Sequence, residues 1–538
     1  MSGGADSPLS TFHPLLARWF SDAIGEPTPV QVEAWSRIDR GAHCLISAPT
    51  GTGKTFAAFL IAIDRLLKGG AGRVLYISPL KALNYDIERN LNRPLQELQE
   101  RFAEVGAEFP EIRVGLRSGD TEQSERRRLN KNPPDILVTT PESLNLMLSS
   151  RSGLLGLQGF ETVVLDEIHA VLSSKRGSYL MSAVERLVPI CGEFQRIALS
   201  ATVRPMSLVA RILGGYALRG SEGNQTYEPR PVETIDIASD KRYELRVGYP
   251  EPSRGAPGGA AGAGSLPGPG EDPDARDEWW RAITRRLREE IEGHRSTLIF
   301  ANSRRMVEKL ARLLNEEEGE PVYAHHGSLS REVRRVVEER LKAGELKAIV
   351  ATSSLELGID VGEIDQVVLV QSPFSIASSV QRIGRAGHGV GALSRGSFIP
   401  IHSRDLVESA ALTRAIAQGE IEEVVPPEKP LDVLAQLVIS MAVVGPVTLE
   451  EIFRTLRCAH AYHHLQRREL ELVVEMLAGK YSDARIRELN PRVSYDRATG
   501  TVEARKSAAM LLYMSGGVIP DRGYYTLRLA ESNAKIGE

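Results

Sequence analysis

The chain predicts an α/β protein built on two successive parallel sheets, and three observations carry that prediction. Short apolar runs alternate with helical patterns over roughly residues 40–220 and again after residue 297. A glycine-bearing turn sits between the first apolar run and the first long helical pattern. A stretch rich in Gly, Pro and Ala, 253–274, interrupts the alternation once and reads as a flexible loop. Alternating strands and helices are the pattern of crossover-connected parallel strands.

The first run, Cys44 to Ser47, reads as a buried strand, and Phe56 to Leu67 is apolar at helical spacing. Between them stands Ala48-Pro49-Thr50-Gly51-Thr52-Gly53-Lys54-Thr55. Glycines let backbone approach phosphate oxygens closely, and a helix N-terminus offers unpaired N–H groups. Lys54 then reaches the β and γ phosphates and Thr55 places its hydroxyl on Mg²⁺, so ATP or GTP is the expected ligand. Ala48 stands where the usual pattern has its first glycine.

Further strands are expected at Arg73 to Ile77, Asp135 to Val138, Thr162 to Leu165 and Arg196 to Leu199. The third ends in Asp166-Glu167-Ile168-His169, which brings two acids to a strand's carboxyl end beside the nucleotide crevice. Asp166 is expected to hold Mg²⁺, and Glu167 to orient or deprotonate the attacking water. In the second half, Thr297 to Phe300, Lys347 to Val350 and Gln366 to Val370 repeat the strand pattern without a second phosphate-binding turn, which implies one nucleotide site shared between two lobes.

After about residue 416 helices dominate: Pro430 to Val444, Leu449 to Arg457 behind a Thr448 cap, and Arg468 to Ala478 stopped by Gly479. Three short helices of this kind fit a winged-helix domain as well as a plain helical cap on the second lobe. From Tyr481 the chain turns to strand signals at Arg492 to Tyr495 and Thr501 to Glu503, read as the start of a further β-rich domain. The expected domains are therefore 1–228, 229–415, 416–480 and 481–538.

Composition bounds the rest. With 538 residues, 42% hydrophobic and 25% charged, the chain reads as several soluble domains, and no apolar run or leader pattern marks a membrane or export route. A cytoplasmic protein is expected. Three scattered cysteines exclude a disulfide framework or zinc ribbon, and His325-His326 and His463-His464 lack metal-ligand spacing. A net charge of −4 gives no global basic signature, so any nucleic acid must be held by a local groove. The Arg126-Arg127-Arg128 run, spaced from Glu122 and Glu125, reads as a solvated helix face.

Other loops at strand ends follow in a fixed order: Ser78 to Lys81, Arg117 to Asp120, Thr139 to Ser143, Ser200-Ala201-Thr202, Phe300 to Arg304, His326-Gly327, Ala351 to Asp360 and Gln381 to His388. This ordered series resembles the superfamily 2 helicases. Within them the chain is similar to the large helicase-related, Lhr-type family through Asp166 to His169, Gln381 to His388, Pro430 to Gln436 and Ser515 to Gly523. The resemblance implies two tandem RecA-like P-loop domains with parallel sheets, a winged-helix domain and a β-rich domain. It also implies an ATP- and Mg²⁺-dependent motor that tracks 3′ to 5′ on single-stranded DNA and displaces paired DNA or RNA, with a place in DNA repair. The chain ends just inside the expected β-rich domain, so it reads as truncated, with processive unwinding in question.

Carried over residue by residue, the resemblance makes Gln31 the adenine reader and Phe12 a base-stacking ring, the alternative for Phe12 being packing of a small N-terminal helix. Arg385 matches the arginine finger from the second lobe, His388 takes a sensing role, and Gly358 and Asp360 touch the γ-phosphate side and the ribose. Ser78, Lys81, Thr140, Asn302 and Thr352 are expected on the tracked strand, with helix capping as the alternative reading of the hydroxyls. Ser200, Thr202 and Gln381 would couple the two sites. The expected partners are single-stranded DNA and DNA or RNA:DNA duplexes, with no membrane, no named protein partner and a monomeric chain. Two rival readings are a non-translocating RNA remodeller and an ATP-gated nucleic-acid clamp.

Overall fold

Strands that are apolar on both faces need helices on both sides, and the computed structural model supplies them in two lobes. It describes residues 8–49, 51–70, 72–79, 81–220, 224–237, 242–250, 273–316, 321–356, 362–387, 393–480, 490–520, 527–529 and 535–537. The first lobe is a seven-stranded sheet in the order Val114–Arg117, Ile136–Thr139, Arg73–Ile77, Phe160–Leu165, Gln195–Ser200, His43–Ser47, Val232–Asp236. All its pairings are parallel. One face buries Trp35, Phe59 and Leu60, and the other buries Leu165, Leu180 and Leu187.

This order sets Gln195–Ser200 between His43–Ser47 and Phe160–Leu165. The phosphate-binding turn, the Asp166-Glu167 pair and the Ser200 loop therefore leave neighbouring strands at one edge, where ligands collect in open parallel sheets. The boundary expected at residue 228 is too early. Strand Val232–Asp236 pairs with His43–Ser47, so the chain leaves the first sheet only after Asp236.

The second lobe is a six-stranded parallel sheet in the order Arg242–Val247, Leu393–Ile399, Gln366–Val370, Thr297–Ala301, Ala348–Ala351, Tyr323–His325. Residues 253–272 of the expected loop lie outside the described residues, and helix Pro273–Glu292 begins where they end. The Arg126-Arg127-Arg128 run lies on helix Gln123–Lys131, where Arg128 pairs with Glu125 at 2.8 Å on an exposed face. Among the described residues no helix is long and apolar enough to cross a membrane.

The division at residue 480 is also corrected. Strands Val493–Asp496 and Thr501–Ala504 form an antiparallel pair, joined by Val447–Thr448, and pack on helices Leu431–Val444, Leu449–Arg457 and Arg467–Leu477. They are the wing of the same domain rather than the opening of another. Their alternating pattern resembled a new sheet because a wing is itself a short hairpin. Val493, Val502, Ala508 and Leu512 all sit in the core that those helices build. Thr448 and Glu451 close a capping box, and Gly479 adopts a φ of 90° after the third helix.

This domain is bolted to the first lobe, although the second lobe precedes it in sequence. Tyr179 of helix Lys175–Cys191 is part of its core, the Ser149 and Ser440 hydroxyls meet at 2.6 Å, and Arg186 donates to Ser440 at 2.9 Å. Burial pulls the Arg186 guanidinium down to about 10, and it is held by Leu148 O and Asn145 as well. The connecting segment touches both lobes. Glu422 accepts the Ile376 and Ala377 N–H groups that open helix Ile376–Ile383, while Val424 N–H donates to Arg204 O at 2.7 Å.

Behind the first sheet, Glu185 accepts from both Arg196 and Arg230, and the Arg196 side chain is fully buried. Removing one partner of such a cluster strands a buried charge. Glu185→Ala is expected to destabilise by about 3–5 kcal/mol in urea-induced unfolding. Arg404→Ala, which breaks an exposed pair with Glu408, is expected to cost about 1 kcal/mol or less.

Candidate active site

The turn from Ala48 to Thr55 stands without a first glycine, because among its described residues the left-handed positions are Gly51 and Gly53. Gly51 and Gly53 adopt φ values of 83° and 81°, whereas Ala48 continues the strand, its N–H donating to Ser200 O at 3.2 Å. A Cβ on Gly53 would sit 2.5 Å from Gln31 Nε2. Lys54 opens helix Lys54–Leu67 and is 7% exposed, its ammonium donating to the Ala48 and Pro49 carbonyls. Burial lowers its pKa. Glu167 and Asp166 oppose that shift, and the like charge of Arg385 from the other lobe adds to it.

Asp166 and Glu167 follow strand Phe160–Leu165 and are both buried. Asp166 Oδ1 accepts the Glu167 N–H at 2.8 Å, and Oδ2 accepts the Tyr76 hydroxyl. Burial, with Glu167 alongside, pushes Asp166 up to about 7. Glu167 has a φ of 45°, an uncommon conformation for a residue with a Cβ, and its Oε2 is buried with no hydrogen-bond partner among the described residues. A strained backbone carrying an unpartnered carboxylate oxygen, next to a second acid and Thr55, is a donor set that suits a hard divalent cation.

His169 ties the acids to the rest of the cleft. Its Nδ1 accepts the Ala201 N–H at 3.2 Å and lies 3.3 Å from Ser200 Oγ, while its Nε2 meets the Gln381 amide of the second lobe. The Gln381 atom placed against Nε2 is the amide nitrogen; an accepting Nδ1 puts the ring proton on Nε2, so the amide must turn its oxygen there to accept it. Glu167 Oε2 lies 3.5 Å from Nδ1, yet burial lowers the imidazole pKa, so the ring is neutral and the pair is not an ion pair. One side chain thereby joins the acids, the Ser200-Ala201 loop and the second lobe.

On the second lobe, Arg385 is 5% exposed and its guanidinium donates to Glu356 O at 3.2 and 2.8 Å. Arg382 binds the Glu356 carboxylate at 3.0 Å and Asn302 Oδ1 at 3.0 Å.

Several expected roles change. The Gln31 amide is engaged at both ends, its oxygen accepting Thr28 N–H at 2.9 Å in a capping box and its nitrogen reaching Gly53 O at 3.4 Å. These contacts brace the turn that carries Gly53 and use one acceptor site and one donor of the amide. Phe12 is 6% exposed and packs edge-on against Trp35, which is the packing alternative rather than a stacking face. Thr140 caps helix Pro141–Met147 through Ser143, as its alternative reading supposed. Asn302 is half-buried, its nitrogen donating to Ser372 O at 2.7 Å and its oxygen accepting from Arg382.

Ser78 is fully buried after strand Arg73–Ile77, and Thr352, half-buried, contacts Ser354 at 3.3 Å. Lys81 begins helix Lys81–Glu104, and Thr202 lies in the loop after Gln195–Ser200. Thr52 bonds Pro49 O at 2.8 Å, and its carbonyl accepts from Thr28. Thr50, Gly358, Asp360 and His388 lie outside the described residues. Tyr76 and Glu356 were missed by sequence reasoning. For Tyr76 the available signal was a phenol in an otherwise apolar strand.

Two parallel lobes that meet at a phosphate-binding turn on one side and a buried arginine on the other define a superfamily 2 helicase core. Residues 28–209 match the DEAD/DEAH box helicase family, 281–389 the helicase conserved C-terminal domain, and 414–538 the winged helix domain of large helicase-related protein. The chain belongs to the Lhr-type family. It is 40% identical to the Lhr helicase/uracil glycosylase of Escherichia coli (strain K12), over 98% of its own length and 36% of the relative's. It is 38% identical to the ATP-dependent helicase Lhr-Core of Methanothermobacter thermautotrophicus, over 95% and 58%. The solved structure of Mycobacterium smegmatis helicase Lhr bound to ssDNA and AMP-PNP matches with a TM-score of 0.84 at 41% identity, covering 98% of this chain and 64% of that one. The chain thus spans between 36% and 58% of the length of these two curated relatives.

Gln381→Ala removes the amide that His169 meets across the cleft. The variant is expected to bind a fluorescent ATP analogue like the unaltered chain while nucleic-acid-stimulated turnover falls, by up to about 10²-fold for a misaligned cleft. Steady-state ATPase rates with and without DNA check this.

Proposed function

We propose that this chain is the motor of an ATP-dependent helicase that tracks 3′ to 5′ along single-stranded DNA and displaces the DNA or RNA paired to it. The observation that carries the reading is the cleft itself: buried Lys54, Asp166 and Glu167 of the first lobe stand beside His169, which meets Gln381 of the second lobe in the helix that leads to Arg385. The ATP-dependence named for the Lhr-Core relative and the AMP-PNP held by the mycobacterial structure support the nucleotide. The single-stranded DNA in that structure supports the partner.

In this reading Gly51, Gly53 and the N-terminus of helix Lys54–Leu67 cradle the phosphates, and Lys54 exchanges the Ala48 and Pro49 carbonyls for β and γ oxygens. Thr55 and Asp166 hold Mg²⁺, which when bound offsets the charge on those oxygens. Glu167, with one oxygen unpartnered, orients the attacking water. Arg385, which donates to the Glu356 carbonyl, turns to meet charge developing on the γ-phosphate. His169 reports cleft closure from Gln381 to the Ser200-Ala201 loop. Ser78, Lys81, Thr140 and Thr352 stand at the same strand ends as the grip on phosphates, Asn302 bracing Arg382 behind them. The working units are a first lobe ending near Asp236, a second lobe from Arg242, and a winged helix that moves with the first lobe.

Lys54→Ala and Glu167→Gln are expected to abolish DNA-stimulated hydrolysis, the second by about 10²–10⁴-fold with nucleotide binding retained. Arg385→Ala is expected to lower turnover by about 10³-fold. Duplexes carrying a 3′ or a 5′ single-stranded tail read polarity. Displacement from the 3′-tailed DNA alone supports the proposal, equal displacement from both tails points to a local remodeller, and binding without turnover points to a clamp.

A further inference from the structure

Strand Arg73–Ile77 lies between Ile136–Thr139 and Phe160–Leu165 in the first sheet, where an apolar side chain is the ordinary occupant. Tyr76 is fully buried there, its ring stacked on Phe59 at 4.7 Å and 15°. Phenylalanine would pack equally well, so the hydroxyl must answer to something else. It donates to Asp166 Oδ2, and the Thr55 side chain lies near the same phenol oxygen.

Asp166 and Thr55 are the two groups that the proposed function gives to Mg²⁺. Without Tyr76, the Asp166 carboxylate would keep the Glu167 N–H on Oδ1 and lose its partner on Oδ2, leaving it free to turn about its terminal bond. We propose that Tyr76 is a positioning residue for the divalent cation: its hydroxyl fixes the Asp166 carboxylate beside Thr55, so both groups stand at a common spacing before the ion arrives. Partners one shell out from a metal commonly govern its affinity in this way. Rigidity comes from the stack on Phe59, which leaves the phenol only its hydroxyl to aim. The inference rests on the proposed Mg²⁺ and ATP reading and adds a residue to it.

The test is Tyr76→Phe, an isosteric change whose fold is checked by its thermal midpoint. The probe is a fluorescent, non-hydrolysable ATP analogue titrated in EDTA and at a series of Mg²⁺ concentrations, with Mn²⁺ binding followed separately by electron paramagnetic resonance. The expected result is a half-saturating metal concentration raised by about 10–100-fold, with analogue affinity in EDTA unchanged. Phe59→Leu, which loosens the stack but keeps the hydroxyl, is expected to shift the metal dependence far less. If Tyr76→Phe leaves the metal dependence unaltered, or if Phe59→Leu shifts it equally, the inference falls while the Mg²⁺ reading stands. If the unaltered chain binds the analogue identically in EDTA and in Mg²⁺, the Mg²⁺ reading itself fails and takes the inference with it.

Discussion

A neutral imidazole at His169 is the contact on which the cleft depends. Buried beside two acids, it accepts on one nitrogen from the Ser200-Ala201 loop and on the other meets the Gln381 amide of the second lobe. Charge on the ring would remove the acceptor at Nδ1 and detach it from that loop. The same residue follows Asp166 and Glu167 within one turn, so a single ring stands between the acids, that loop and the second lobe. Lysine or arginine at this position could hold a carboxylate but could not accept and donate at once.

Around that ring the site keeps like charges in uneasy company. Asp166 and Glu167 share a pocket closed to water, and Lys54 and Arg385 oppose each other across it. Such a cluster is stabilised when a polyanion and a cation are added together, because each of its members then gains an opposite charge at short range. The backbone strain at Glu167 belongs to the same economy, since it aims a carboxylate where no protein donor meets it.

Much of this was legible before any coordinates. The turn from Ala48 to Thr55, the Asp166-Glu167 pair and the helix ending near Arg385 each carry a local signature, because close phosphate approach and strand-end acids demand particular residue types at fixed spacing. What escaped was whatever depends on a partner distant in sequence. Strand Val232–Asp236 looks like the start of a second lobe until it pairs with His43–Ser47. The hairpin at Val493–Ala504 looks like a new sheet until its apolar face is found under Leu437 and Val474. Gln31 and Asn302 have the chemistry to read a base or hold a phosphate, yet both amides are committed inside the protein. Amide groups are easily misread from sequence because they satisfy a helix cap and a ligand with the same atoms.

The winged helix sits on the first lobe, and the chain reaches it through a segment whose Glu422 holds helix Ile376–Ile383 and whose Val424 is anchored at Arg204. The second lobe is therefore strung between two fixed points on one body, entered after Asp236 and left near Glu422. A part suspended at two points keeps one easy freedom, a swing about the line joining them, and resists sliding away from its neighbour. Connectivity of this kind suits a door on two pins better than a pair of jaws on a slack cord.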